Sequence, residues 1–206
     1  MRTLVIDCAT EACSIAVFED GHLLDHWHSL IGRGHAEHLV PAIAALPDKG
    51  RAARILVSLG PGSFTGVRIG LAAARALGLA WRAEVRGYPT LALIAAMARA
   101  GHGEVPVTVC TAGGHGEWFV QDYDTGGLPE DSLVSLAPTV ASRRAAHPLI
   151  AGSRATQMAG VCGHALDVLP DARCALLVPV ALLVTELAPI YGRAPDARLP
   201  QAVPVP

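Results

Sequence analysis

Aromatic residues make up only 4% of this 206-residue chain and charged residues 17%, against 51% hydrophobic residues. The core must therefore be mostly Ala, Leu and Val, a composition that favours helices packed closely on sheets. Basic runs are also missing. Nothing exceeds the pair Arg143-Arg144, and the formal net charge is −2 with a pI near 6.5, so the footprint of a surface that grips a polyphosphate backbone is absent. Any nucleic acid must be held by a partner. The cysteines Cys8, Cys13, Cys110, Cys162 and Cys174 are odd in number and scattered. Without any C-x-x-C spacing they fit buried thiols in a reducing compartment. The longest late apolar run, Ala175 to Val184, contains Pro179 and is about half the length that spans a bilayer. Asp7 interrupts the first apolar stretch too early for a signal peptide. These absences predict a cytoplasmic chain without membrane contact. No G-x-S-x-G elbow occurs, and no cysteine has an activating context.

What is present is a glycine-rich segment, Gly60-Pro61-Gly62-Ser63-Phe64-Thr65-Gly66-Val67-Arg68-Ile69-Gly70, between an apolar strand, Ile55 to Leu59, and a helix of small residues. Backbone N–H groups at such a helix start attract anions. A P-loop would need Lys followed by Ser or Thr after its second conserved glycine, whereas Val67 and Arg68 follow Gly66. Two readings stand: a weak nucleotide loop, or a helix start built for close packing.

Along the chain, Thr3 to Asp7, Ser14 to Phe18 and Leu23 to His28 read as an antiparallel meander, with Asp20-Gly21 as a tight hairpin turn. A helix at His35 to Leu46, the strand Ile55 to Leu59, a helix at Phe64 to Trp81, a short strand near Val85 and a helix at Thr90 to Ala100 follow. This order predicts an α/β domain with a mixed sheet. In the second half, Val105 to Cys110, Trp118 to Tyr123 and Ser132 to Leu136 read as strands. Leu149 to Gly152 leads into a short helix from Ser153, and Ala175 to Leu187 reads as a helix disturbed at Pro179. From Gly192 onward the composition predicts an extended tail. The expected division is a lobe over 1–100, a smaller lobe over 101–191 and a tail over 192–206.

Asp7 ends the first strand and faces a turn containing Thr10 and Glu11. A carboxylate and a hydroxyl there suit magnesium or phosphate, or else they cap the turn by local bonds to the backbone. His35-Ala36-Glu37-His38 resembles a metal cluster, but metalloprotease helices space their histidines at i and i+4, and these stand at i and i+3. His35, Leu39, Ile43 and Leu46 instead form one stripe, with His38 and Ala42 beside it, facing a core or a partner. On the next helix Phe64, Val67, Leu71 and Ala74 share one side, and Gly66, Gly70, Ala73 and Leu77 an adjacent one. Glycine inside a helix costs about 0.5–1 kcal/mol relative to Ala, so Gly66 and Gly70 predict a tight helix–helix contact, internal or between chains. His115 and Glu117 sit in a flexible hairpin, and Ser153 suits a helix N-cap or an anion.

The segments Leu4 to Ala16, His35 to Ile43 and above all Gly60 to Gly70 resemble the bacterial TsaB (YeaZ) family. The likeness is strong over roughly residues 1–90 and thins to Gly116-Glu117-Trp118 and Pro189 to Arg193. It implies an actin-like ATPase (ribonuclease H-like) fold of two lobes with mixed sheets and a reduced C-terminal lobe. It also implies a non-catalytic scaffold for the paralogous TsaD-type transferase in tRNA threonylcarbamoyladenosine synthesis. The implied partners are a TsaD-type subunit as heterodimer, a TsaE-type ATPase through the complex, a second copy as homodimer, and tRNA only indirectly, with no cofactor and no metal. On this reading the partner interface comprises His35, His38, Leu39, Ala42, Ile43, Leu46, Phe64, Gly66, Val67, Gly70, Leu71 and Ala74. Gly70→Arg or Leu71→Asp is then expected to break docking in a folded monomer. Asp7, Thr10, Gly60, Gly62 and Ser63 form a vestigial phosphate loop. Cys8 replaces a Thr or Ser usual in relatives, and Ala112, Gly113 and Gly114 replace an Asp-Ala-Arg. The alternatives are a small actin-like ATPase or kinase using the Gly60 to Gly66 loop, and a metallopeptidase using His35, Glu37 and His38.

Overall fold

The computed structural model describes residues 1–144, 146–160 and 163–192. β1 (Arg2–Asp7), β2 (Ala12–Glu19) and β3 (His22–Leu30) form the expected meander. Asp20 and Gly21 both hold positive φ, the conformation that two-residue hairpins demand. β4 (Arg54–Ser58) and β5 (Glu84–Tyr88) add in parallel beside β1, giving the order β3-β2-β1-β4-β5. Between and after them run α1 (His35–Ala45), α2 (Phe64–Trp81) and α3 (Thr90–His102).

The second sheet repeats this scheme. β6 (Val107–Ala112), β7 (Trp118–Tyr123) and β8 (Val134–Leu136) are antiparallel neighbours, and β9 (Leu149–Ala151) and β10 (His164–Leu166) add in parallel beside β6. Its order, β8-β7-β6-β9-β10, is the first sheet's order again. A meander followed by two parallel strands, used twice, is the actin-like architecture. The second copy has dwindled: α4 (Pro138–Ala141) and α5 (Ala155–Ala159) stand where the first copy carries α1 and α2.

Strand alternation sends side chains to two faces, and the core divides accordingly. Leu4, Ile6, Ile15, Ile55 and Val57 pack under α1 and α2. Val5, Ala16, Leu56 and Tyr88 face the opposite way, onto α3 and onto Val107, Val109 and Tyr123 of the second sheet. α3 is buried nearly all round, from Leu91 to Ala96, because a sheet covers it on either side. Cys110, Val120 and Ile150 pack outward against Ala141, Ala155 and Met158.

Two expectations need correction, and one strand was not foreseen. Ala175 to Leu187 is not a helix: the chain makes 3₁₀ turns at Ala172–Leu177 and Val180–Leu182, then pairs Val184 with Gly87 of β5. Pro179 has no N–H to continue a helix, and an extended strap is what reaches β5. β10 was not foreseen, being only three residues long. Ser153 does not cap α5: the N-cap is Arg154, and the Ser153 hydroxyl accepts the Ala112 N–H at 3.0 Å. The tail expected over 192–206 lies, apart from Gly192, outside the described residues, as does Cys162.

Candidate functional site

A cleft of about 830 Å³ opens between the two sheets. The β1–β2 turn (Ala9, Thr10, Glu11), the start of α2 (Gly62 to Phe64, Val67, Arg68), the β6–β7 turn (Ala112 to His115), Phe119, Ser153 and the strap Pro189 to Gly192 line it. The glycine segment read as a phosphate loop forms one wall of this cleft.

The glycine segment shows how. A side chain at Gly62 would run into the Ala9 carbonyl, and one at Gly66 into the Cys8 carbonyl. The Ser63 N–H donates to the Ala9 oxygen at 2.6 Å. With no side chains at Gly62 and Gly66, α2 settles on the β1–β2 turn, and the Ala9 carbonyl takes the Ser63 N–H that an anion would otherwise use. Gly60, at φ +91°, lies against the Ile190 carbonyl, whose own N–H donates to the Leu59 oxygen at 2.8 Å. Of the two readings of this segment, the geometry is that of close packing.

Asp7 lies outside the cleft lining and is 1% exposed. Its carboxylate accepts the Ala9 N–H at 3.0 Å and the Tyr88 hydroxyl at 3.1 Å. Burial pushes the carboxyl up to about 6, while these bonds oppose the rise. Around it Ser58 and Thr90 share a hydrogen bond at 2.6 Å, and the Ser14 hydroxyl accepts the Ala172 N–H at 2.8 Å. The carboxylate that residue type alone suited to magnesium is thus part of a sealed polar joint between the two sheets. Thr10 accepts the Ala12 N–H at 3.2 Å and Ser63 the Gly66 N–H at 3.2 Å. The cleft hydroxyls of Thr10, Ser63 and Ser153 each therefore cap a neighbouring backbone. The two departures noted in the turns agree with this: Cys8 contributes no hydroxyl, and the Gly113 N–H donates to the Glu117 carbonyl at 2.7 Å.

The expected metal trio is dispersed. The His35 ring, buried under the β1–β2 turn, lies 2.9 Å from the Thr10 carbonyl, to which its N–H donates, while Glu37 and His38 are exposed. Among the described residues no group of three or more His, Cys, Asp or Glu is placed to hold an ion.

The expected interface residues fall into two sets. Leu39, Ile43, Leu46, Gly66, Val67, Gly70, Leu71 and Ala74 are buried in the first sheet's core together with His35. The glycines of α2 approach strands rather than a helix: Gly70 faces Ile6, Cys8 and Val57, and Gly78 faces Val85. Gly70→Arg and Leu71→Asp would therefore disrupt the fold itself and say nothing about docking. His38 and Phe64 are exposed and Ala42 half-buried. The exposed rows of the two helices, not singled out above, carry Val40, 61% exposed, and Leu79, 85% exposed, along with the exposed Ala36, Ala44, Ala72 and Ala76. The signal was available in the i, i+4 spacing of Ala36, Val40 and Ala44 opposite the buried stripe.

At the cleft mouth the Arg68 guanidinium lies 3.4 Å from the Phe64 ring centre and donates to the Tyr191 hydroxyl at 2.9 Å. This stack pins the strap to α2. No helix among the described residues is long and apolar enough to cross a membrane.

Comparison with known proteins agrees with this architecture. The family model described as TsaD, tRNA N6-adenosine threonylcarbamoyltransferase, matches residues 29–151, more than half of the chain. The tRNA threonylcarbamoyladenosine biosynthesis protein TsaB of Escherichia coli K12 is 34% identical over 153 residues, 70% of this chain and 66% of the relative. The protein of the same name from Haemophilus influenzae is 37% identical over 105 residues, 48% of this chain and 43% of the relative. The matches thus span just under two thirds and under half of these relatives' lengths. The solved structure of YeaZ from Pseudomonas aeruginosa superposes with a TM-score of 0.75 at 27% identity, covering 92% of this chain and 99% of that one. By its sequence and its doubled fold, the chain belongs to the TsaB (YeaZ) family.

Proposed function

We propose that the protein is a non-catalytic scaffold of tRNA threonylcarbamoyladenosine synthesis that binds and supports a TsaD-type transferase. The observation that carries this reading is the packing around the expected phosphate loop, with Asp7 sealed beneath Tyr88 and the Cys8 and Ala9 carbonyls lying against Gly66 and Gly62. A fold that keeps its architecture while the carboxylate at the end of β1 is buried and bonded within the chain suits a protein whose work lies on its surface. The names of its relatives support the pathway. The docking face is the outward side of α1 and α2, where Val40 and Leu79 stand exposed on a ground of alanines that lets another helix approach closely. An interface of ordinary size would bury about 1,600 Å² in total. A second copy would compete for the same face, the TsaE-type ATPase would join through the complex, and tRNA would be held by the partner.

The test is co-purification of the tagged chain with a TsaD-type subunit, for wild type and for Val40→Asp/Leu79→Asp. Wild type is expected to recover the partner near one to one. The double variant is expected to lose it with its melting temperature unchanged, since both side chains already face water. Equal recovery by the variant would place the contact elsewhere. Calorimetric titration with magnesium and ATP is expected to be flat, and a saturable heat would restore the ATPase reading.

A further inference from the structure

Cys8 and Cys13 flank the β1–β2 turn one step beyond the last registered pair of the two strands, Asp7 opposite Ser14. The antiparallel ladder therefore sets them against each other across the hairpin end. Their sulfurs lie 3.5 Å apart and both thiols are free. Residues directly opposed on antiparallel strands have Cα separations of roughly 4.5–5.5 Å, within the range that a disulfide spans. Closure needs the sulfurs to approach by about 1.5 Å, which side-chain rotation supplies. Cys110 and Cys174 lie in other parts of the core.

We propose that Cys8 and Cys13 form a redox-active pair that closes to a cross-strand disulfide on exposure to hydrogen peroxide, an oxidant small enough to enter so buried a site. Cys8 is 2% exposed and Cys13 not at all, so Cys8 meets the oxidant first. Its sulfur gives up its proton and attacks one peroxide oxygen. The O–O bond breaks, the departing hydroxide takes the proton to become water, and Cys8 becomes a sulfenic acid. The Cys13 sulfur then attacks the Cys8 sulfur and breaks its S–O bond, and the hydroxide leaves with the Cys13 proton as a second water. Two electrons have passed from the sulfurs to the peroxide. The bond to Cys13 and burial hold the Cys8 thiol well above its ordinary range, so the first step is slow beside that of an exposed thiol. The bridge would clamp the turn whose Cys8 and Ala9 carbonyls seat the start of α2.

Glu11 lies between the two cysteines, so cleavage after glutamate separates them. The full-length native protein would be treated with hydrogen peroxide, denatured, alkylated, cleaved after glutamate without reductant and read by mass spectrometry. The expected result is a joint loss of alkylation at Cys8 and Cys13, with Met1 to Glu11 linked to Ala12 to Glu19 until reductant is added. In Cys13→Ser the link should vanish and Cys8 should carry oxygen instead; if that variant does not fold, the wild-type linked pair alone decides. Alkylation of both thiols after Cys174 has oxidised would overturn the proposal. So would Cys8 bridged to any other cysteine, or oxidised past sulfenic acid with Cys13 still free.

Discussion

Burial holds the Asp7 carboxyl at about 6 in the folded chain, against an ordinary 3.8, despite the bonds from Ala9 and Tyr88. The folded state therefore binds more protons than the unfolded chain between these values. The contribution of Asp7 to stability is complete below about pH 4 and is lost as pH rises through about 6. The loss is on the order of 3 kcal/mol. Asp7→Asn removes this titration: the difference in urea-unfolding free energy between variant and wild type should move in the variant's favour by roughly that amount from about pH 4 to pH 7. A flat difference would mean that the carboxyl ionises in its ordinary range. The turn-capping role of Asp7 and Thr10 was legible from residue types alone, because an Asp or Thr bonding two residues ahead is local chemistry. The lid over Asp7 was not, since Tyr88 reaches it only once β5 has paired with β4.

α2 shows which features of an element can be read in advance. Its bounds, Phe64 to Trp81, follow from Ser63, whose hydroxyl caps the Gly66 N–H, and from Arg82, which turns into the left-handed region. Its glycines announced close contact without saying with what. They meet the first sheet and its β1–β2 turn, and they are unequal. Gly66→Ala drives a methyl into the Cys8 backbone and should cost on the order of 3 kcal/mol, measured by chemical denaturation. Gly70→Ala meets its neighbours at 3.6–3.7 Å, ordinary contact, and should be neutral or gain up to about 1 kcal/mol from helix propensity. Similar losses at the two positions would contradict this packing. On α1 the stripe His35, Leu39, Ile43 and Leu46 was correctly seen as a unit, and its choice between core and partner was settled by the sheet beneath it.

At the scale of the molecule, the doubling of the fold was invisible in the sequence, where no repeat survives and the second copy's α4 and α5 have only four and five residues. Its β8, β9 and β10 have only three residues each, so hydrophobic alternation has little length in which to show. The actin-like fold came from resemblance, and the topology bears it out. The strap is the other long-range surprise: Val184 pairs with Gly87, Arg75 holds the Leu187 carbonyl at 2.8 Å, and Ile190 bonds Leu59. A chain ending at Leu182 should lose these ties together. We expect it to melt well below the full chain in one transition; an unchanged melting temperature would mean that the strap is dispensable.

That strap also sets an order of events during synthesis. The first sheet leaves the ribosome long before Val184 and Ile190, so its β5 edge and the Leu59 carbonyl wait uncovered until the second sheet has been made. A nascent chain stalled before Val184 therefore presents an open edge of the first sheet for chaperones to guard.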